Sequence, residues 1–378
     1  MTGALGGLTV ASMRRAILLS SFLFASGCGS AVTDSPIHAT DCLKLTLQNG
    51  GFSTTPPARV SLFFTADTCS GQPVAGLTED HFRLLEDGLA VSQYESQQRI
   101  QPRGEKVRIS SILLLDLSGS LLRSGSFPQL REAAGGFIDQ VFARDPDAHQ
   151  MSIYTFDGRK DLTPLVPLTA DVAALKRGLA SLDTVECAVN TDCAAFADRR
   201  TCAGWRCVDD STNLYGAVVQ GLSAVQAAVA ASGDVPHRQG ALVVFTDGTD
   251  QAARVPQKTA VDAVTASAAN VFTMGLGGEV DATALRTLGK DGFYPVGRAE
   301  DLASAFASVA ARLTAMAQRY YLLEYCSPKR SGRHTLRVEA NAPPVDGGGT
   351  LSGSLTAEFD ATGFESGCYI PPPPPPIP

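Results

Sequence analysis

Four short apolar runs mark the middle of the chain: Ile112 to Leu115, Met151 to Phe156, Ala241 to Phe245 and Val271 to Met274. Runs of this length without alternation predict strands buried on both faces. Between and beyond them apolar residues recur at near 3.6 spacing, through Leu130, Ala134, Phe137 and Val141, then Leu214, Val218, Leu222, Val225 and Val229, then Leu302, Phe306, Val309 and Leu313. Each stripe is one face of an amphipathic helix. Ser126 followed by Pro128 offers a helix start before the first of them. Strands alternating with helices predict a doubly wound, mostly parallel α/β sheet of Rossmann-like type across residues 107–318, with helices on both faces.

The flanks read differently. Residues 42–106 carry β-like runs, Val60 to Phe64 and Phe82 to Leu85, separated by Gly and Pro turns. Residues 319–368 carry Tyr320 to Tyr325 and His334 to Glu339 around a turn at Ser327 to Gly332, then Gly353 to Phe359 after a glycine-rich stretch. A short strand cluster on its own buries little, so the two flanks are expected to pair into one small β-domain. Residues 369–378 form a tail with a proline run, Pro371 to Pro376, a stiff polyproline spacer with docking as the alternative.

The length of 378 residues leaves room for a sizeable core. A net charge of −7 excludes a nucleic-acid partner, which needs a basic footprint. After the first thirty residues no run approaches the roughly 20 apolar residues of a membrane-spanning helix. The start of the chain, Met13-Arg14-Arg15, then Ala16 to Leu19, then Phe24-Ala25-Ser26-Gly27-Cys28, resembles a bacterial lipoprotein signal, departing from it at Ala25 where that family prefers Leu. The resemblance implies that residues 1–27 are a signal peptide, that Cys28 is lipidated, and that 28–41 tether the fold to a membrane. Gly29 after the cysteine implies the outer membrane, on its periplasmic or its surface face. A plain cleaved signal is the alternative, and either Met1 or Met13 can be the start.

Nine cysteines less Cys28 leave eight, Cys42, Cys69, Cys187, Cys193, Cys202, Cys207, Cys326 and Cys368, an even set that an oxidising compartment lets pair. The insertion 187–207 lacks the close Cys-x2-Cys pairs of zinc sites, so two disulfides are expected there, first to third and second to fourth being one of three pairings. Cys326 and Cys368 are expected to bond with Cys42 and Cys69 in some combination. Trp205, the only tryptophan, lies in the insertion; it is either an exposed contact residue or packed beneath the bridges.

Candidate chemistry closes the first apolar run. Asp116-Leu117-Ser118-Gly119-Ser120 places a carboxylate and two hydroxyls at alternate positions after a strand, where all can turn toward one point. Oxygen donors suit hard divalent cations. Ser211-Thr212-Asn213 opens a helical stripe, and Phe245-Thr246-Asp247-Gly248 ends another apolar run. Together these segments resemble the metal-ion-dependent adhesion site of von Willebrand factor type A domains. That resemblance implies that Ser118, Ser120 and Thr212 bind a Mg²⁺ or Mn²⁺ ion directly, that Asp116 and Asp247 hold it directly or through water, and that an acidic group of a protein or glycan partner fills the last position.

No enzyme constellation accompanies it. There is no Gly-x-Ser-x-Gly elbow, His-Glu-x-x-His or phosphate-cradling Gly-x4-Gly-Lys-Ser/Thr, and the five histidines are scattered. The expected function is a cation-dependent binding or adhesion module, lipid-anchored in the cell envelope, rather than an enzyme. The alternatives are an envelope scaffold or assembly factor whose cation only stabilises the domain, and a subunit that presents substrate to a separate catalytic chain.

Overall fold

The computed structural model describes residues 42–102, 106–343 and 349–371. The signal, Cys28 and the tether, as well as the tail from Pro372 on, lie outside the described residues. The amino-terminal flank supplies β1 (Leu43–Thr55), β2 (Arg59–Thr68), β3 (Phe82–Glu86), β4 (Leu89–Ala90) and β5 (Arg99–Pro102). The α/β body then runs β6 (Val107–Asp116), α1 (Gly119–Ser124), α2 (Phe127–Phe142), β7 (His149–Phe156), β8 (Thr163–Thr169), α3 (Val172–Ser181), β9 (Thr201–Ala203), β10 (Arg206–Val208) and α4 (Leu214–Ala230). It continues through β11 (His237–Thr246), α5 (Gln257–Ala266), β12 (Asn270–Leu276), α6 (Ala282–Leu288), β13 (Gly292–Val296) and α7 (Leu302–Gln318). The other flank returns as β14 (Tyr320–Cys326), β15 (Arg333–Ala342) and β16 (Leu351–Asp360).

The central sheet has the order β13-β12-β11-β6-β7-β8, every neighbour parallel except β8. Strand β6 shows why its sequence is apolar throughout. Leu113 and Leu115 pack with Phe137 of α2 and Phe306 of α7 on one face, and Ile112 and Leu114 pack with Val218 and Leu222 of α4 on the other. Each such side chain, fully buried, contributes about 1.5–3 kcal/mol. Helices α1, α2, α3 and α7 cover the first face and α4, α5 and α6 the second, so the sheet is doubly wound, as the alternation of runs and stripes predicts.

The flanks build two four-stranded antiparallel sheets, β1-β2-β14-β5 and β16-β15-β3-β4, each drawing strands from both ends of the chain. Leu62, Phe64, Leu84, Tyr321 and Val338 form a core shared by both sheets. Its two buried tyrosine tips are satisfied: the Tyr321 hydroxyl donates to the Val74 carbonyl at 2.9 Å, and that of Tyr325 donates to Glu86 at 2.8 Å. Only Arg319 separates α7 from β14; its backbone carbonyl accepts from Ala66 at 3.0 Å and its guanidinium holds Asp67 at 2.8 Å. Next to it Phe63, His237 and Tyr320 stack, with centroids 5.0–5.8 Å apart, across the junction of lobe and body.

The disulfides of the lobe differ from the expected cross-linking of the two ends. Cys42 bonds Cys69, and Cys326 bonds Cys368. The reason is register: β1 and β2 are antiparallel with Leu43 opposite Thr68, so the flanking Cys42 and Cys69 meet at the same end of one strand pair. The lobe is therefore joined end to end by strand pairing and packing, with each bridge local to its own flank.

Candidate metal centre

From β6 the chain moves outward to β7 and β8, then returns past β6 to enter β11, so the strand order reverses between β6 and β11. At such a switch point the carboxyl ends of the two strands flank a crevice. Asp116 is the last residue of β6 and Asp247 the first after β11. Asp116 is fully buried; one carboxylate oxygen accepts from the Ser118 N–H at 2.8 Å and the other from the Thr246 hydroxyl at 2.6 Å. Ser118, also fully buried, precedes α1 in extended backbone, and its hydroxyl lies 3.1 Å from that of Ser120. Ser120 donates to Asp247 at 3.0 Å. Four of the five residues singled out in the sequence thus form one hydrogen-bonded chain, through the Ser118 backbone at its first link.

Thr212 is the fifth. It is buried, and its carbonyl accepts from the N–H groups of Gln251 and Ala252 at 2.9 and 3.0 Å, which binds it to the loop that follows Asp247. Its hydroxyl sits 3.6 Å from where a Cβ on Gly248 would lie. The helix it precedes is capped one residue later, by the Asn213 side chain accepting from Gly216 at 3.2 Å.

Electrostatics sets this crevice apart. Burial, and then the charge of Asp247, push the Asp116 carboxyl up to about 7. Burial likewise raises Asp247, with Glu279 adding to the effect and the Ser120 hydrogen bond opposing it. The direct partners of both carboxylates are hydroxyls and backbone N–H groups. A buried and a partly buried carboxylate without a basic hydrogen-bond partner, beside hydroxyl oxygens, suit a hard divalent cation, which would favour their ionised forms. Beside Ser120 and Asp247 opens a cavity of about 490 Å³, walled by Gly277, Gly297, Glu279 and Arg298.

Two contributors carried no role in the sequence reading. Thr246 orients Asp116. Asp157, directly after β7 and only 2% exposed, is gripped by Arg159 through both carboxylate oxygens at 2.9 and 3.0 Å. Asp157 also accepts from the Asp209 N–H at 3.2 Å, and its carbonyl accepts from Asn213 at 3.0 Å, so it fixes both sides of the Thr212 loop. Its signal was available: like Asp116, it is a carboxylate that ends an apolar run.

The insertion adjoins this crevice. Cys187 bonds Cys202 and Cys193 bonds Cys207, closing loops with sequence separations of 15 and 14; in the chain-entropy account each contributes roughly 3 kcal/mol. Strands β9 and β10 form a hairpin whose turn packs on α1, a Cβ on Gly204 lying 3.0 Å from Leu122. Trp205 is 61% exposed, so it does not pack beneath the bridges.

Similar solved structures are von Willebrand factor type A proteins. One is a von Willebrand factor type A protein from Catenulispora acidiphila, 12% identical, with 85% of this chain and 74% of that one covered at a TM-score of 0.43. Another is the manganese-loaded TRAP protein of Plasmodium vivax, 12% identical, covering 70% of this chain and 97% of that one at 0.41. A third is proximal thread matrix protein 1 from the mussel byssus with a zinc-occupied MIDAS motif, 16% identical, at 0.41; the match covers 55% of this chain and about half, 48%, of the mussel protein. No family model matches the chain, and no curated protein matches it.

Proposed function

We propose that this chain is a cation-dependent binding module of von Willebrand factor A type, exported and lipid-anchored through Cys28 in a bacterial envelope, that captures an acidic group of its partner. The observation that carries the reading is the pair of a buried Asp116 and a partly buried Asp247, set among hydroxyls with no basic side chain in their hydrogen bonds. Ser118, Ser120 and Thr212 would hold a Mg²⁺ or Mn²⁺ ion, with the two carboxylates balancing its charge. When bound, such a cation supplies a Lewis-acidic position for a partner carboxylate, an attraction strengthened in a partly dry site. A bound cation would favour the ionised form of Asp116, Thr246 keeps it oriented, and the Asp157 clamp holds the Thr212 loop in reach. Four disulfides support export to an oxidising compartment. Among the described residues no helix is long and apolar enough to cross a membrane, which leaves the lipid as the proposed anchor.

The test is a pull-down from envelope extract with and without chelator, using the wild type and the Asp116→Ala and Thr212→Ala variants. Capture is expected to require the cation and both residues, with circular dichroism unchanged. Capture that persists in EDTA overturns the reading. Chelation that melts the domain without affecting any capture points instead to a scaffold stabilised by its ion.

A further inference from the structure

The exposed apolar side chains of the body are concentrated in one place. Among the described residues Val185, Val189 and Trp205 are exposed at 66%, 56% and 61%, all within or beside the cysteine-stapled insertion, while the other large exposed hydrophobics, Leu89, Tyr94 and Tyr369, belong to the flanking lobe. The turn that carries the indole is unusual. Gly204 and Trp205 have φ of +52° and +67°, and a two-residue turn with both angles positive favours Asn-Gly. A bulky residue in the left-handed region is rare. Trp205 is nevertheless held there: Cys202 and Cys207 flank the turn as paired residues, each in a disulfide. Its carbonyl accepts from Glu186 and Cys187 at 2.7 and 3.3 Å, which brings Val185, the neighbour of Glu186, alongside.

Two further observations give this patch a direction. Gly204 packs on Leu122, two residues beyond Ser120 on α1, so the turn that carries the indole rests on the helix that bears Ser120. The nearby Glu186 is already engaged, with Arg206 at 3.1 Å and with Arg199 at 3.6 Å, so it offers no free carboxylate beside the apolar side chains. A rigid, exposed indole loses little entropy when covered and is a frequent centre of binding energy.

We infer that Trp205 and Val185 form a second contact for the partner held at the cation, receiving an apolar side chain of a protein segment that also bears the acidic residue. This rests on the cation reading above. An aliphatic neighbour beside the indole offers dry area rather than the hydrogen-bonding groups a sugar requires, so a protein segment fits better than a glycan.

The test pans a displayed library of random twelve-residue peptides over the full chain in Mg²⁺. The expected pool carries an acidic residue together with a large apolar one, is released by EDTA, and blue-shifts the emission of the lone tryptophan. Trp205→Gly, whose backbone suits a positive φ, is expected to weaken capture at least tenfold while leaving the melting temperature equal or higher; a merely structural tryptophan would instead lower it. Trp205→Phe is expected to restore most of the capture. An acidic, EDTA-released pool indifferent to Trp205→Gly overturns this inference and leaves the cation reading intact. A pool indifferent to EDTA, or no enrichment at all, overturns both. Capture of polygalacturonate in place of peptides, with the same loss in Trp205→Gly, overturns the protein partner in favour of an acidic glycan.

Discussion

Strands β6 and β7 lie side by side, and each delivers a buried aspartate to the same edge of the sheet, yet the two carboxylates are treated in opposite ways. Asp157 at the end of β7 meets a guanidinium, with Arg159 Nε bonded to both its oxygens. Asp116 at the end of β6 meets a backbone N–H, a threonine hydroxyl and a second acid. The first arrangement is electrically complete and serves to fix a loop. The second sets two carboxylates against hydroxyls and a backbone N–H with no base between them, the arrangement that the proposed cation would complete.

The contrast is open to breakage in graded steps. The largest effect belongs to the brace: Asp157→Ala strands Arg159 and frees the Asp209 side of the Thr212 loop, and should cost about 4 kcal/mol in urea melts, the scale for breaking a buried pair, whether or not chelator is present. A third buried group tests the principle at the other end of β7. His149 is fully buried with neither ring nitrogen hydrogen-bonded, and burial drives its basicity down from 6.5 to about 4. Between those pH values the unfolded chain takes up a proton that the fold refuses, so stability is full above pH 6.5 and falls with pH toward 4. The loss should reach up to about 3 kcal/mol, and His149→Leu should flatten that part of the pH–stability curve. Thr246→Val removes the hydroxyl that orients Asp116 and should weaken Mg²⁺ binding by about tenfold in calorimetry, the scale of a ligand's outer hydrogen bond, with little change in melting. Arg123→Ala should do least. It pairs with Asp210, but both side chains are about half exposed, and such pairs contribute less than about 1 kcal/mol; a loss like that of Asp157→Ala would erase the distinction between buried and surface pairing.

Much of this was legible in residue order. The central strands declared themselves because burial on both faces demands unbroken apolar runs, and Asp116, Ser118, Ser120 and Asp247 stood where those runs stop. The two outer strands of the sheet did not. β8 contains Pro164 and Pro167, and β13 contains Pro295; proline in a strand is tolerated at an edge, where its missing donor faces no neighbour, and there it blurs the pattern. The short helices α3, α5 and α6 were missed for a related reason, each burying only two or three side chains. Asp157 and Thr246 were visible as letters, but their roles depend on partners from other loops. The cysteine pairing of the lobe depends on strand register, which four positions along a chain do not encode.

The single-residue link at Arg319 has a mechanical meaning. Helix α7 packs against the body's core along its length and passes at once into β14, which is hydrogen-bonded on both sides, to β2 and β5. With Arg319 fastened to Ala66 and Asp67, the helix has no slack to slide or unwind at its lower end. Tension on a captured partner would be handed to the lobe as a shear spread over a whole strand ladder, the geometry in which hydrogen bonds resist together instead of peeling one by one.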